Sequence, residues 1–262
     1  MENNSLDPSL LELLSKLQKK YASMGQDLNS YLDGLLYSDY TNYWEYIHLD
    51  TLLSLQHPKT QFKDEKVFII YHQITELYFN LILWELSQIS ANENITLDFF
   101  VRRIERVINY FRQLEHSFSV MIDGMEKEQF LKFRMALLPS SGFQSGQYRL
   151  IEFQATDLVN LVNNDDRSPQ VDPSNIEELL KKLYWRKGAT ELSSGKGTLT
   201  LVQFEEKYMK QFTETAIEYK RTNINQVYLR KFRDIQPAVK VLREFDHLAN
   251  VEWPLAHLRS AG

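Results

Sequence analysis

Cysteine is missing altogether from the 262 residues. That excludes a disulfide framework, a Cys-ligated zinc, an iron–sulfur cluster, a thiolate-ligated haem, a thiol nucleophile and a thiol redox switch. Any metal or haem has to be held by His, carboxylate, Tyr or Met. Chain breakers are scarce too, with 9 Gly and 7 Pro. So few breakers favour long helices over many tight hairpins. No stretch alternates with period 2, and no repeat of solenoid length is present. Neither sign of charge dominates: 30 basic residues face 35 acidic ones, net −5. That argues against non-specific binding to nucleic acid or to an acidic membrane. No long apolar run exists either. The most apolar stretch, Val67 to Leu86, contains His72, Gln73, Thr75, Glu76, Asn80 and Glu85, too polar to span a bilayer. Met1 to Ser5 has no basic or apolar leader character. A soluble cytoplasmic protein with no nucleic-acid or membrane partner is expected, of one large or two small domains.

What is present reads as helix. Leu10, Leu14, Leu17, Tyr21, Met24, Leu28, Tyr31 and Leu35 step alternately by 4 and 3, an a/d seam of more than three heptads. Gly25 and Gly34 weaken it, each by roughly 1 kcal/mol relative to Ala. Such a seam has to be buried, either within the chain or as an arm on a sister subunit. Further helices are expected over Tyr43–Gln56, Lys63–Ile89, Glu126–Leu138, Tyr148–Val162, Ile176–Trp185, Leu201–Tyr219, Pro237–Leu248 and Trp253–Arg259. Thr96 is the expected N-cap of another. Its apolar stripe is Phe100, Ile104, Val107, Phe111, Phe118 and Ile122, and Arg102, Arg103, Glu105 and Arg106 form its solvated face. Residues 140–147, 163–174 and 187–197 read as loops. The expected organisation is a helical arm over residues 1–40 and a helical domain over 41–262. Residues 163–200 would be a loop-rich helical insertion.

Three features could carry chemistry. His72 sits midway along the most apolar helix, with Phe68, Thr75, Glu76 and Phe79 on its face. It is either a core imidazole bonded to Glu76 or to backbone, or a site residue. Glu45-x-x-His48 and Glu244-x-x-His247 place two Glu/His pairs at helical i, i+3 spacing. With Glu76 and Glu152 they could build a carboxylate di-iron bundle site. The third feature is Phe133-Arg134, then Pro139-Ser140-Ser141-Gly142-Phe143-Gln144-Ser145-Gly146-Gln147-Tyr148-Arg149-Leu150-Ile151-Glu152. There Pro139 ends a helix, Gly142 allows close backbone approach, and Arg134 lies one turn back from the break. That is a place to hold a small polar ligand, or an ordinary connection with a surface Arg.

Taken with Tyr43-Trp44-Glu45-Tyr46-Ile47-His48-Leu49-Asp50-Thr51-Leu52-Leu53 … Gln56 and Asp64-Glu65 … Phe68-Ile69-Ile70-Tyr71-His72-Gln73-Ile74-Thr75-Glu76-Leu77, that phrase resembles the tryptophan 2,3-dioxygenase family. Order and spacing agree. The resemblance is dense over residues 43–153 and thins afterwards, apart from Trp253-Pro254-Leu255-Ala256-His257.

The resemblance implies an all-α bundle of the tryptophan/indoleamine dioxygenase type with an N-terminal helical arm. It implies one haem b per chain and a homotetramer, a dimer of dimers. The implied reaction inserts both atoms of O2 across the indole C2–C3 bond of L-tryptophan, giving N-formylkynurenine. By position, His257 is then the proximal haem ligand and His72 the distal imidazole that meets the indole N–H. Arg134 pairs with the substrate carboxylate. Phe68 walls the indole pocket, and Ser141 and Gly142 line the distal side of the haem. Tyr43 and Tyr46 resemble a pair that reaches a neighbouring subunit's pocket. Phe130 stands where a carboxylate-supporting Tyr is usual. Pro254 stands where Arg is usual, and as a helix breaker it is expected to start or kink the helix that presents His257. The family continues past the position of Gly262 with a Gly- and Ser-rich loop carrying a Thr for the substrate ammonium. A truncated or divergent member is therefore expected. The other readings are a haem oxygenase of another indole- or tyrosine-like substrate, and a haem-binding protein without turnover.

Overall fold

A computed structural model describes residues 6–38, 41–134, 144–166, 172–187, 189 and 197–261. The chain divides into two compact units, Met1–Leu55 and Gln56–Gly262.

In the first unit the apolar seam is not one helix. α1 (Pro8–Ser23) is started by Asp7, whose carboxylate accepts from the Ser9 N–H, and by Pro8 in its first turn. It ends at Met24, and Gly25 follows at φ +67°. The Gln26 N–H then donates to the Tyr21 carbonyl and the Gly25 N–H to Ala22. This is a Schellman closure, and it needs a residue that tolerates the left-handed region. Asp27 caps α2 (Leu28–Leu36), and Tyr21 meets Tyr31 at 4.7 Å between ring centroids. The heptad spacing thus divides into two short helices, and none of its described residues is buried. The single helix expected over 43–56 is also broken. α3 (Tyr43–Tyr46) and α4 (Leu49–Leu53) are separated by His48, left-handed at φ +50°.

The second unit is built on α5 (Asp64–Ala91) and α6 (Leu97–Ser117). Thr96 caps α6 as expected, its hydroxyl accepting from the Phe99 N–H at 3.2 Å. Phe100, Ile104, Val107, Phe111 and Leu114 have no exposed surface. They face Phe79, Ile82, Leu86 and Ile89 of α5. The stripe was expected to run on to Ile122, but α6 ends and α7 (Ser119–Ile122) leaves Ile122 51% exposed. One carboxylate is turned inward: Glu85, 1% exposed, takes Arg103 at 2.8 Å and Arg106 at 3.0 Å. A buried carboxylate is tolerated because both its oxygens are satisfied by cations.

α8 (Lys127–Arg134) packs across the N-terminal end of α5. α9 (Gly146–Ala155), capped by Ser145, lies along α5 and against α12 (Leu199–Glu218). Gly146 permits that approach, since a Cβ there would sit 2.6 Å from the Tyr208 ring. With α10 (Ile176–Lys181) and α11 (Tyr184–Lys187), α12 closes a second core around Phe153, Leu179, Leu183 and Phe212. α13 (Ile224–Val227) and a following π turn, Tyr228–Phe232, lead from α12 to the next helix. α14 (Gln236–His247) returns to α6. A second π turn, Leu248–Glu252, leads into α15 (Trp253–Ala261). Pro254 is the second residue of α15, so the expected start falls there. No β-strand occurs among the described residues, only an isolated bridge between Val162 and Leu183. Among the same residues no helix is long and apolar enough to cross a membrane.

Truncating Phe111 to Ala should destabilise the chain by about 3–5 kcal/mol through cavity formation. Thr96→Ala should cost only about 1 kcal/mol, the loss of one cap. Urea unfolding checks the ranking, and a smaller effect for Phe111 would contradict the core assignment.

Candidate functional site

The N-terminal end of α5 is fixed by polar contacts. Glu65, 1% exposed, accepts from the Lys59 and Thr60 N–H groups, each at 2.7 Å, and from the Thr60 hydroxyl. Burial pushes its carboxyl up, but these donors outweigh burial and leave it below the usual range. Asp64 accepts from the Glu126 N–H at 2.6 Å, tying the start of α8 to the start of α5. One turn beyond His72, Gln147 donates to both the Glu76 carbonyl (2.9 Å) and its carboxylate (2.8 Å). That fixes the first turn of α9 against α5.

These anchors gather an unbroken run of rings. The Arg134 guanidinium lies 5.8 Å from the Phe130 ring centre. Phe130 and Phe133 both meet Phe68, at 6.3 and 5.7 Å. Phe68 meets His72 at 4.0 Å, and His72 meets Tyr71 edge-on at 5.6 Å. Tyr71 reaches Phe118 at 5.9 Å, and Phe118 reaches His257 at 6.1 Å. Trp253, one turn before His257, stacks on it at 5.8 Å and 20°. Residues far apart in sequence, Phe68, His72, Phe130, Arg134 and His257, thus belong to one aromatic-walled cluster.

The chemistry of the two imidazoles follows from their surroundings. His72 Nδ1 lies 2.8 Å from the Phe68 carbonyl oxygen. A carbonyl only accepts, so Nδ1 carries the proton and the Nε2 lone pair is the ring's acceptor. The backbone is therefore the partner of His72, not the Glu76 carboxylate. His72 keeps access to solvent, yet protein surrounds it closely enough that desolvation holds its pKa below the ordinary imidazole value. The Phe68 carbonyl opposes that shift, charge on His257 adds to it, and Glu76 opposes it weakly. Burial lowers the pKa of His257 as well. Both rings are neutral at neutral pH. Two imidazoles of lowered pKa beside aromatic walls have the chemistry to hold an iron porphyrin, for which His257 would supply a nitrogen donor.

Tyr43 and Tyr46 lie on α3 of the first unit and are 72% and 76% exposed. Ser141 and Gly142 lie outside the described residues. The di-iron constellation does not assemble. His48 is out of the helix that holds Glu45, and Glu76 takes Gln147. Glu244 pairs with Arg112 and His247 with Glu252. The buried carboxylate of Glu152 binds Arg149 at 2.8 Å and the Tyr184 hydroxyl at 2.6 Å. Burial holds that carboxyl high, and burial, helped by the Glu152 charge, pushes the Tyr184 phenol up to about 12. Among the described residues no three His or carboxylate groups gather as a metal site.

Sequence reasoning did not place Tyr71 and Phe118 at the site. Tyr71 precedes His72, and Phe118 continues the α6 stripe at i+7 from Phe111, so both read as core. The signal available was their position at the ends of apolar stripes flanking a polar residue.

Among the described residues, helices bring two imidazoles and a guanidinium to one aromatic cluster, the make-up of a helical protein with a candidate site for a flat aromatic group. The comparison with known families sharpens that class. Residues 34–234 match the family model described as tryptophan 2,3-dioxygenase, and the chain belongs to that family. The tryptophan 2,3-dioxygenase of Ruegeria sp. (strain TM1040) is 36% identical over 152 residues, 57% of this chain and 54% of that protein. That of Bradyrhizobium diazoefficiens is 36% identical over 143 residues, 53% and 49%. That of Ruegeria pomeroyi is 40% identical over 119 residues, 45% and 42%. The chain spans about half the length of the curated relatives it matches.

In the chain without added cofactor, the His72 ring should titrate below the ordinary value of about 6.5. The unfolded chain takes up that proton first, so stability should fall as pH drops below about 6.5 and level off below the native pKa. NMR titration of the imidazole signals, with His72→Gln for assignment, checks this. A midpoint at or above 6.5 would contradict the described surroundings.

Proposed function

We propose that the chain acts as a haem-dependent dioxygenase that cleaves the indole C2–C3 bond of L-tryptophan with O2, giving N-formylkynurenine. The observation that carries the reading is the meeting of His72, Phe68, Phe130, Arg134 and His257 in one aromatic-walled cluster. Its supports are family membership and relatives named tryptophan 2,3-dioxygenase. In this reading His257 would hold haem b, and the haem when bound would supply the oxygen chemistry.

The chain's own side chains bind and orient. With Nδ1–H held by the Phe68 carbonyl, His72 offers Nε2 to the indole N–H, and its lowered pKa keeps that lone pair available. Phe68 and Phe130 supply flat apolar walls that exclude water from the indole. Arg134, whose planar fork matches a carboxylate, anchors the amino-acid end. Holding both ends of the substrate fixes the ring against the reacting centre, an orientation effect that contributes several kcal/mol in well-organised sites. Phe130 cannot hydrogen-bond the carboxylate, so Arg134 carries that end without a phenol beside it. Ser141 and Gly142 would contribute to cofactor binding, a role implied by the resemblance. Residues 1–40 are read as an arm that engages a sister subunit in a cytoplasmic homotetramer, and Tyr43 and Tyr46 as a pair that reaches that subunit's pocket. The exposed Leu36, Tyr37, Tyr43 and Tyr46 favour that reading.

Reduced protein reconstituted with haem should convert L-tryptophan to N-formylkynurenine under oxygen, followed by product absorbance. Absence of product sinks the activity. Arg134→Ala should raise KM for tryptophan by about tenfold or more while leaving indole oxidation nearly unchanged, since indole has no carboxylate. Equal effects on both would remove Arg134 from the substrate site.

A further inference from the structure

The helix that presents His257 begins with a defect. Pro254 is its second residue. Proline has no N–H, and its ring collides with the carbonyl four residues back in a regular helix. The chain relieves this with the π turn Leu248–Glu252, in which the Trp253 N–H donates to Leu248, five residues back. The consequence falls on the carbonyl of Ala249. In an α-helix its donor would be the Trp253 N–H, which is already given to Leu248. In a π ladder its donor would be the N–H of residue 254, which proline lacks. Ala249 is only 7% exposed, and a buried carbonyl left without a donor is strongly unfavourable.

The missing donor comes from another helix. The Tyr148 hydroxyl donates to the Ala249 carbonyl at 2.8 Å. Tyr148 is itself 6% exposed, held by the capped first turn of α9. Its ring stacks on Trp253 at 5.1 Å and 23°, and Trp253 stacks in turn on His257. One side chain therefore touches the π turn through its hydroxyl and the His257 helix through its ring.

We propose that Tyr148 is a positioning residue for His257. Its hydroxyl replaces the main-chain donor that Pro254 removes. Its ring passes the register of α9 through Trp253 to the imidazole. This rests on the reading of His257 as haem ligand given above. It goes beyond that reading in naming what sets the ligand's position, and in making Tyr148 and Pro254 an interdependent pair.

The test is a double-mutant cycle on the full chain, read as the haem dissociation constant from Soret titration. Tyr148→Phe keeps the ring stack and deletes the hydroxyl, and should weaken haem binding about tenfold. Pro254→Ala restores an N–H at residue 254. In that background Tyr148→Phe should cost less than about threefold. Resonance Raman of the ferrous protein should show a shifted iron–imidazole stretch in Tyr148→Phe that reverts in the double variant. Phe100→Leu, in the core and outside the aromatic cluster, serves as a control for general destabilisation. It should lower the unfolding midpoint without moving the stretch. Wild-type affinity and stretch in Tyr148→Phe would overturn the proposal, as would an equal loss in both backgrounds or a shift equally present in Phe100→Leu. His257→Ala separates the two levels. If it binds haem as tightly as wild type, the ligand assignment fails, and the proposal with it. If it loses binding while Tyr148→Phe does not, the positioning role alone fails.

Discussion

Helix α5 has to satisfy two environments with one cylinder, and the way it does so fixes the remainder of the second unit. Its C-terminal half is core. Phe79, Ile82, Leu86 and Ile89 interlock with the fully buried stripe of α6, and the inward Glu85 is neutralised by two arginines from that same helix. Its N-terminal half is a wall, where Phe68, Tyr71 and His72 face other rings instead of aliphatic side chains. A helix apolar on most of its circumference has no single buried face, so its neighbours decide which residues become core and which become site. α6 covers the C-terminal half and stops at Ser117. Beyond that point Phe118, α8 and α15 supply aromatics in place of a continuous helix.

Polar contacts then decide the register of what meets the wall. Glu65 holds the entry to α5, Asp64 holds the entry to α8, and Gln147 holds the entry to α9. Each acts at the end of an element, where unpaired main-chain groups are available. These bonds contribute about 1 kcal/mol apiece, far less than the cores. Their role is selective: they choose among rotations that apolar contacts alone would leave nearly equal in energy. Phe130, with Arg134 beside its ring, stands near Phe68 where Asp64 accepts from the first residue before α8.

The parts of this arrangement legible in the sequence are those written in local periodicity. The bounds of α5, the Thr96 cap and the stripe from Phe100 to Phe111 follow from 3.6-residue spacing and capping chemistry. Breaks were less legible. Gly25 reads as a weak point, yet the Schellman closure that ends α1 depends on which carbonyls remain unpaired. His48 in a left-handed conformation has no composition signal at all. Both π turns escaped, because a one-residue widening leaves the apolar pattern almost unchanged. The site divides in the same way. Arg134 and His72 stand out as candidates from local context, whereas their roles and that of His257 came from resemblance. The meeting of Phe118 with His257 and of Tyr148 with Ala249 joins residues more than one hundred positions apart, beyond the reach of any spacing rule.

Pro254 shows how a local violation becomes a non-local dependence. An arginine at that position would let the helix run through and keep the Ala249 carbonyl satisfied within its own ladder. Proline removes a donor and forces a wider turn, so the deficit must be met from elsewhere in the fold. Tyr148 meets it with a hydroxyl that a phenylalanine, equally able to stack on Trp253, would lack. Apolar packing could therefore have accepted either ring at residue 148, and only the main-chain accounting of the π turn distinguishes them. Neutral histidines pose the same kind of demand. Desolvation beside Phe118, Trp253 and Phe68 lowers the pKa of both His257 and His72, so the aromatic wall that shapes the cluster also favours neutral imidazoles.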